Sequence, residues 1–386
     1  MAASYLDRPW LFKLRKVVRY VELYGPGTTL VKVRAQVHAA RTEGFDAAVW
    51  RNPACRTPDR PSRNVAIIGC GGFAYSAIAY HLRRTDRRFL RAALDTDAAR
   101  ARSLCVDYGG AYAATDPEEL VRDEHIRLVY IASNHASHAE YAIRFLDAGK
   151  HVHIEKPQVI SEDQLGRLVA AQERNPQPMV FLGFNRPRSR HFRRVRAALT
   201  GQRGSLSINW FIAGHEIPDG HWYFSEAEGG RILGNVCHWT DLTLELVGLE
   251  RAFPCRVVPV SPPTARSDFC FGITFADGSE AGLTFSAKGH TFEGVREVLH
   301  AHRGDAIVSL RDFKETRIDI AERRRRYVSL FRDHGHRANI LNSWFAAGSG
   351  DRSRAASIER NIATARLFLG VKAAIDSGVA QDVALG

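Results

Sequence analysis

The chain lacks long apolar segments, paired cysteines and clustered metal ligands. No apolar run in its 386 residues approaches the ~18 residues that a membrane-spanning helix needs. The N-terminus also has no apolar core typical of a secretory signal. The six cysteines are scattered without a Cys-x-x-Cys pair, which disfavours a disulfide framework or a zinc site. These absences predict a cytoplasmic globular protein with reduced thiols and no bound metal.

Negative charge is also scarce, because 42 acidic residues face 54 lysines and arginines and the formal net charge is +12. Arginines concentrate in the run 323–326 and between Arg186 and Arg196. Such an excess fits phosphorylated small substrates and a merely solvated surface equally well. Nucleic acid is not an expected partner, because the sequence contains no recognised nucleic-acid-binding module.

Residues 1–62 differ from the rest and are predicted to be a basic N-terminal extension and linker. Between Pro9 and Leu23 apolar residues recur at helical spacing with basic residues opposite, and Gly25-Pro26-Gly27 is expected to end this helix. A basic amphipathic helix can make peripheral contact with an anionic membrane. Packing of the helix on its own protein is favoured over that alternative. The Pro- and Arg-rich segment 51–63 is predicted to be the linker.

The most informative segment, 64–97, combines a strand, a glycine-rich turn, a helix and a second strand. The apolar run Val65-Ala66-Ile67-Ile68 leads into Gly69-Cys70-Gly71-Gly72-Phe73-Ala74, and the second strand ends on Asp95. Glycines permit a sharp turn and a close backbone approach to a pyrophosphate, which the following helix N-terminus attracts. The sequence therefore predicts a dinucleotide site, whose residues in this segment are Gly69, Gly71, Gly72, Phe73, Ala74 and Asp95.

Asp95 also indicates which dinucleotide is bound. A carboxylate at the end of the second strand accepts hydrogen bonds from a ribose 2′-hydroxyl and repels a 2′-phosphate. The next residues add no cation before Arg100. NAD is therefore favoured over NADP as the cofactor. A role for Asp95 as a helix cap is compatible with this assignment.

The remaining pattern predicts two further domains. Residues 63–184 alternate strands with helices, which is typical of a doubly wound parallel sheet and here of an NAD-binding Rossmann domain. Residues 185–386 contain a series of strands, with Asp277-Gly278 as a hairpin signal, and end in a helix. The fold class is therefore α/β followed by α+β, with a large, mostly antiparallel open sheet in the C-terminal domain.

Two segments at the carboxyl ends of predicted strands carry polar residues that should converge near the nicotinamide. The first contains Ser133, Asn134 and His138, and the second contains Glu155 and Lys156. A lysine there can donate a proton to a substrate oxygen, and Glu155 can orient it. The alternative is that Lys156 is an ordinary surface charge. Ser133, Asn134, His138 and Glu155 complete the predicted cofactor-binding set.

The order of these motifs resembles the Gfo/Idh/MocA oxidoreductase family. The segment Gly149-Lys150-His151 followed by Glu155-Lys156-Pro157 is the most specific match, and Phe184-Asn185-Arg186 resembles the landmark that opens the family's second domain. His221-Trp222 and the segment 229–241 further resemble a branch found in bacterial sugar and polysaccharide gene clusters.

The resemblance implies an enzyme that moves hydride between a nicotinamide and a secondary alcohol or ketone of a sugar, nucleotide sugar or cyclitol. It implies that Lys156 is the catalytic lysine and that His238 binds or protonates the substrate oxygen. It also implies a homodimer or homotetramer. The family's aspartate before the histidine is Gly234 here, with Asn235 beside it. The predicted substrate-binding residues are Lys156, Arg186, Asn235 and His238.

Two alternatives remain open at this point. In the first, tightly held NAD oxidises and then re-reduces one sugar, giving a redox-neutral epimerase or eliminating enzyme. In the second, the chain is a non-catalytic NAD-sensing regulator, since a fold does not fix a function.

Overall fold

The computed structural model describes residues 9–215, 217, 220–288 and 292–385. The chain forms two compact units. The Rossmann unit contains residues 26–183 and 337–361, and the open-sheet unit contains the described residues of 1–25, 184–336 and 362–386. Within the described ranges, no helix combines the length and apolar character needed to cross a membrane.

The helices are numbered in chain order, and two of them are preceded by π-helical segments, Ala74–Ala79 and Ile232–Val236. Their bounds are α1 Trp10–Tyr24, α2 Pro26–Ala39, α3 Tyr80–Arg83, α4 Ala98–Tyr108, α5 Pro117–Arg122, α6 His135–Asp147, α7 Glu162–Arg174, α8 Arg190–Thr200, α9 Cys237–Val247, α10 Leu249–Ala252, α11 His336–Ser349 and α12 Ile358–Ser377.

The Rossmann unit is built on a sheet whose order is β1-β4-β3-β2-β5-β6-β7, parallel except for β1. The strands are β1 Val49–Arg51, β2 Val65–Ile68, β3 Leu90–Leu94, β4 Tyr112–Ala114, β5 Leu128–Ile131, β6 His151–Ile154 and β7 Val180–Leu182. The order reverses at β2, which pairs with β3 on one side and β5 on the other. Ligands of open α/β sheets bind at such a switch point.

Helix α2 is an unpredicted part of the Rossmann core. Its residues Val31 and Ala35 belong to the buried cluster that also holds the glycine-turn helix. His38 donates to or accepts from Ser103 at 2.7 Å and lies 2.6 Å from the Cys70 carbonyl. The predicted boundary at residue 62 therefore differs from the structure, because apolar packing and the pairing of β1 with β4 attach residues 26–62 to the Rossmann unit.

The predicted stop at Gly25-Pro26-Gly27 is a junction between two helices. Gly25 has φ +82 and follows the last residue of α1, and Pro26 is the first residue of α2. Proline is favoured at that position because the first helical N–H has no intrahelical acceptor. Helix α1 packs within the open-sheet unit through Phe12, whose ring lies 5.7 Å from that of Phe292, while the Trp10 side chain stays largely exposed.

The open-sheet unit contains a sheet whose order is β15-β14-β13-β12-β8-β11-β10-β9-β16. Its strands are β8 Ser207–Ala213, β9 Cys255–Pro259, β10 Phe269–Thr274, β11 Glu280–Ser286, β12 Arg296–Arg303, β13 Ala306–Arg311, β14 Glu315–Ile320, β15 Arg323–Val328 and β16 Gln381–Val383. Neighbouring strands are antiparallel except for β8 and β11. The prediction of a mostly antiparallel open sheet after a Rossmann domain is confirmed.

One face of this sheet is buried and the other is exposed. Along β8, Trp210 and Ile212 are buried, and the Trp210 indole donates to Thr243 of α9 at 3.1 Å, whereas Phe211 between them is half exposed. This alternation follows from the two-residue period of a strand. It puts α9, which carries His238, on the buried face.

Candidate active site

The glycine-rich turn after β2 has the shape that a dinucleotide requires. Gly69 has φ +78, and a Cβ there would lie 2.5 Å from the backbone of Ala132 and Ser133, so only glycine fits beside the end of β5. A Cβ on Gly71 or Gly72 would meet no atom within 4 Å. The turn therefore leaves open space next to these two glycines, as the close approach of a pyrophosphate to the backbone requires.

Asp95 is held against this turn at the end of β3. Its carboxylate accepts hydrogen bonds from the Cys70 N–H at 2.7 Å and from the Asp97 N–H at 2.9 Å, one on each oxygen. A carboxylate oxygen can accept more than one hydrogen bond, so each retains capacity for a ribose hydroxyl. The first arginine after Asp95 in the sequence, Arg100, pairs with Asp97 at 3.2 Å. Asp97 is the helix cap, accepting from the N–H groups of the first turn of α4.

The segment after β5 turns directly into α6. The Ala132 N–H donates to the Ile68 carbonyl, which brings this strand end beside the glycine turn. Ser133 and Ser137 share a hydrogen bond of 2.7 Å, and the Ser137 hydroxyl also reaches the Asn134 side-chain oxygen at 2.6 Å. Asn134 occupies the N-cap position of α6 and is exposed. Predicted cofactor residues are therefore present at this edge in a hydrogen-bonded arrangement.

The segment after β6 lies next to it. The Glu155 N–H donates to the Ile131 carbonyl of β5, and Glu155 itself is buried. A Cβ on Gly183 would lie 2.6 Å from the Glu155 Cα, so the glycine allows this close approach. Lys156 follows as a partly exposed side chain, and its peptide bond to Pro157 is cis.

His138 links these two strand ends. It is buried, with Nδ1 2.8 Å from the Pro157 carbonyl and Nε2 3.1 Å from the Ser133 carbonyl. Burial lowers the pKa of His138, and the hydrogen bond to Pro157 acts in the opposite direction. A neutral imidazole donates one hydrogen, so it donates to one of these two carbonyls at a time. In the structure His138 therefore connects the two strand ends through the Pro157 and Ser133 carbonyls. Its predicted contact with the cofactor stays a prediction.

The other predicted residues lie in the open-sheet unit, where the π-helical segment before α9 leads to His238. His238 is buried and its ring meets that of Phe184 edge to face, with centroids 6.2 Å apart. Asn235, one turn earlier, has a buried side-chain oxygen with no hydrogen-bond partner among the described residues. A buried amide oxygen without a partner is costly and is a candidate acceptor for a ligand hydroxyl.

Arg186 is buried and paired beneath this helix. Its Nε lies 2.9 Å from Glu297 of β12, and the Trp239 indole donates to the same carboxylate at 2.8 Å. Burial alone would raise the pKa of Glu297, but the charge of Arg186 and the hydrogen bond from His334 hold it at about 2. The predicted contact of Arg186 with substrate stays a prediction, while the structure shows it binding a carboxylate.

Glu297 was missed from the sequence, although a signal was present. It occupies an inward position of a strand that alternates buried and exposed residues. A carboxylate at such a position needs a charged partner. Trp239, the residue after His238, is thereby hydrogen-bonded to a buried ion pair. This bond positions α9, the helix that carries His238.

Comparisons with known proteins agree with this architecture. Residues 63–184 match the family model described as "Oxidoreductase family, NAD-binding Rossmann fold". Inositol 2-dehydrogenase 2 of Saccharopolyspora erythraea is 27% identical over 207 residues, which are 53% of this chain and 60% of that enzyme. The chain thus spans less than two thirds of that relative.

Solved structures share the fold over most of the chain. An oxidoreductase domain protein from Kribbella flavida has a TM-score of 0.71 at 18% identity, covering 83% of this chain and 98% of its own. A 3-ketoreductase from Actinomadura kijaniata, solved with NADP and TDP-benzene, has a TM-score of 0.66 at 18% identity, covering 82% and 97%. The predicted resemblance and the prediction of a nicotinamide-dinucleotide-binding domain are confirmed.

Proposed function

We propose that this chain, whose residues 63–184 match the Gfo/Idh/MocA family model, is a member of that family and an NAD-dependent dehydrogenase or reductase. Its substrate is a secondary alcohol or ketone of a sugar, nucleotide sugar or cyclitol. The observation that carries the proposal is the juxtaposition, in one unit, of the open glycine turn, the anchored Asp95 and the Glu155-Lys156 strand end.

The residues around the turn fit the cofactor. The backbone at Gly71 and Gly72 borders open space for the pyrophosphate, and Asp95 is positioned to accept from the adenosine ribose. The carboxylate disfavours a 2′-phosphate, and Arg100 is engaged with Asp97. These features support NAD over NADP. When bound, NAD supplies the hydride acceptor, and its reduced form the hydride donor.

Lys156 and His238 are the proposed proton-handling groups. Oxidation of an alcohol releases a proton from its oxygen, and a lysine at a strand end beside the cofactor crevice can take and return that proton. His238, in the open-sheet unit, would bind a substrate oxygen, with Asn235 as a hydrogen-bonding neighbour. The relatives' names supply the substrate class, since one is an inositol 2-dehydrogenase and another a 3-ketoreductase.

The test is turnover of a panel of cyclitols, sugars and nucleotide sugars by the purified full chain with added NAD, followed through NADH formation. For a substrate that is turned over, Lys156→Met should lower kcat at least about 100-fold, as for loss of a general acid or base. The affinity for NADH should change less than about threefold, because Lys156 is not placed at the dinucleotide turn.

A matched control is Lys314→Met. Lys314 is partly exposed, as Lys156 is, but it lies in the open-sheet unit. We expect its kcat to equal that of the wild type. Full activity of Lys156→Met would contradict the catalytic assignment. Turnover without added NAD, together with NAD released on denaturation, would instead identify the redox-neutral alternative.

Self-association is proposed for the exposed face of the open sheet. Phe211 of β8 and Ile307 of β13 are more than half exposed there. Apolar side chains on an uncovered sheet face are typical of a protein interface. Light scattering after size exclusion should give a dimer or tetramer, and Phe211→Asp should shift it toward the monomer. A wild-type monomer would contradict this part of the proposal.

A further inference from the structure

A cavity outside the cofactor crevice is formed by the unpredicted helix α2. It lies within the Rossmann unit, where α2 faces the helix after the glycine turn and the C-terminal part of α4, and its volume is about 970 Å³. Pockets that enclose small organic ligands have volumes of roughly 300 to 1,000 Å³. The cavity is therefore large enough for a ligand of nucleotide size.

The lining of this cavity is strongly basic. It contains five arginines and a single acidic residue, Asp107, so its formal charge is five minus one, or +4. Asp107 accepts from Arg41 at 2.9 Å and from the Tyr75 hydroxyl at 2.7 Å, so its two carboxylate oxygens are already engaged. The arginines are Arg34, Arg41, Arg83, Arg84 and Arg87.

Two of these arginines have no partner in the described part of the chain. Arg34 and Arg87 make neither a hydrogen bond nor an ion pair there, although both border the cavity. Arg84 donates only to a neutral group, the Tyr80 hydroxyl, at 3.2 Å. Several like charges around one cavity repel each other, and an anion entering it removes that repulsion.

The chemistry of the lining defines the ligand. Guanidinium groups form bidentate hydrogen bonds with phosphate oxygens, so arginines are favoured at phosphate-binding sites. Leu30 and Val37 of α2 are half exposed beside them and Tyr80 is partly buried, which adds an apolar surface. We propose that this cavity, which we call the α2 cavity, is a second ligand site that binds an organic phosphate of nucleotide size. It is separate from the cofactor turn and does not depend on the proposed function.

The probe for the test is ADP, titrated calorimetrically into the full chain at low salt, with and without saturating NADH. We expect one ADP site that NADH does not displace and that weakens as salt is raised, because exposed charges are screened. Pyrophosphate should compete with ADP, and adenosine should bind far more weakly. Arg34→Gln and Arg87→Gln should each weaken ADP binding about tenfold or more, as expected for a lost charge-assisted hydrogen bond.

Arg88→Gln is the matched control, because it removes an exposed arginine next to Arg87 that does not line the cavity. It should bind ADP within about twofold of the wild type. The proposal is overturned if ADP does not bind, if NADH displaces all of it, or if adenosine binds as tightly as ADP. Equal weakening by Arg88→Gln and Arg34→Gln, which would reflect net charge alone, overturns it as well.

Discussion

Replacing Asp95 with asparagine should change the dinucleotide preference of this protein. In the structure the Asp95 carboxylate is fixed by the N–H groups of Cys70 and Asp97. Asparagine has the same shape and keeps one oxygen to accept from the Cys70 N–H. It loses the negative charge, however, and turns one ribose acceptor into a donor.

The expected magnitude follows from two contributions. A hydrogen bond to a charged group contributes about 1.5 to 3 kcal/mol, so its loss should weaken NADH binding about tenfold to a hundredfold. A carboxylate and a doubly charged 2′-phosphate about 6 Å apart repel by about 3 kcal/mol at an effective dielectric constant of about 40. The affinity for NADPH should therefore rise while the affinity for NADH falls. The preference for NADH over NADPH should fall by about a hundredfold or more.

The assay is a fluorescence titration of each protein with NADH and with NADPH. Asp116→Asn is the matched control, because Asp116 also follows a strand of the Rossmann sheet and caps α5 through the Glu118 N–H. It removes the same charge and should leave both the stability and the preference nearly unchanged, because asparagine caps a helix about as well as aspartate. If Asp95→Asn leaves the NADH/NADPH ratio unchanged, or if Asp116→Asn changes it equally, the ribose assignment of Asp95 is refuted.

Three further substitutions test the structure. Gly69→Ala should lower the free energy of unfolding by several kcal/mol, because its Cβ would lie 2.5 Å from the Ala132 backbone at φ +78; denaturation as stable as the wild type would contradict this. Gly183→Ala, whose Cβ would lie 2.6 Å from the Glu155 Cα, should lower kcat more than it changes the affinity for NADH. Glu297→Gln should destabilise by about 3 to 5 kcal/mol by leaving buried Arg186 without its charge partner. Since the folded pKa of Glu297 is about 2 against an ordinary 4.5, its contribution is present above pH 4.5. The gap between wild type and Glu297→Gln should narrow as pH falls toward 2, and a gap that is constant with pH would argue against the ion pair.

Much of the Rossmann unit could be predicted because its signals are local. The apolar run at 65–68, the glycine turn and Asp95 lie within one short segment, and the structure places them as strand, turn and strand end. The proposed pyrophosphate and ribose contacts involve only the backbone of the turn and one carboxylate, and the sequence shows both directly.

Features that depend on long-range pairing could not be predicted in this way. Helix α2 was missed because Pro26 in Gly-Pro-Gly reads as a stop, whereas it begins the next helix. The arginine run 323–326 forms β15, an edge strand whose exposed arginines pair with Glu315 and Asp319 of β14. Charged residues suit a sheet edge, but the run carries no apolar alternation to reveal a strand. The hydrogen bond that Arg186 donates to Glu297 joins residues 111 positions apart.

The measurement that tests the central claim most directly is an equilibrium titration of the purified full chain with NADH, compared with Gly71→Val. A valine at this position fills the open space beside the turn without meeting another atom of the structure at its Cβ. We predict saturable binding of one NADH per chain in the wild type and its loss in a Gly71→Val protein that remains folded. Absence of NADH binding to the wild type, or equal binding by both proteins, would contradict the account.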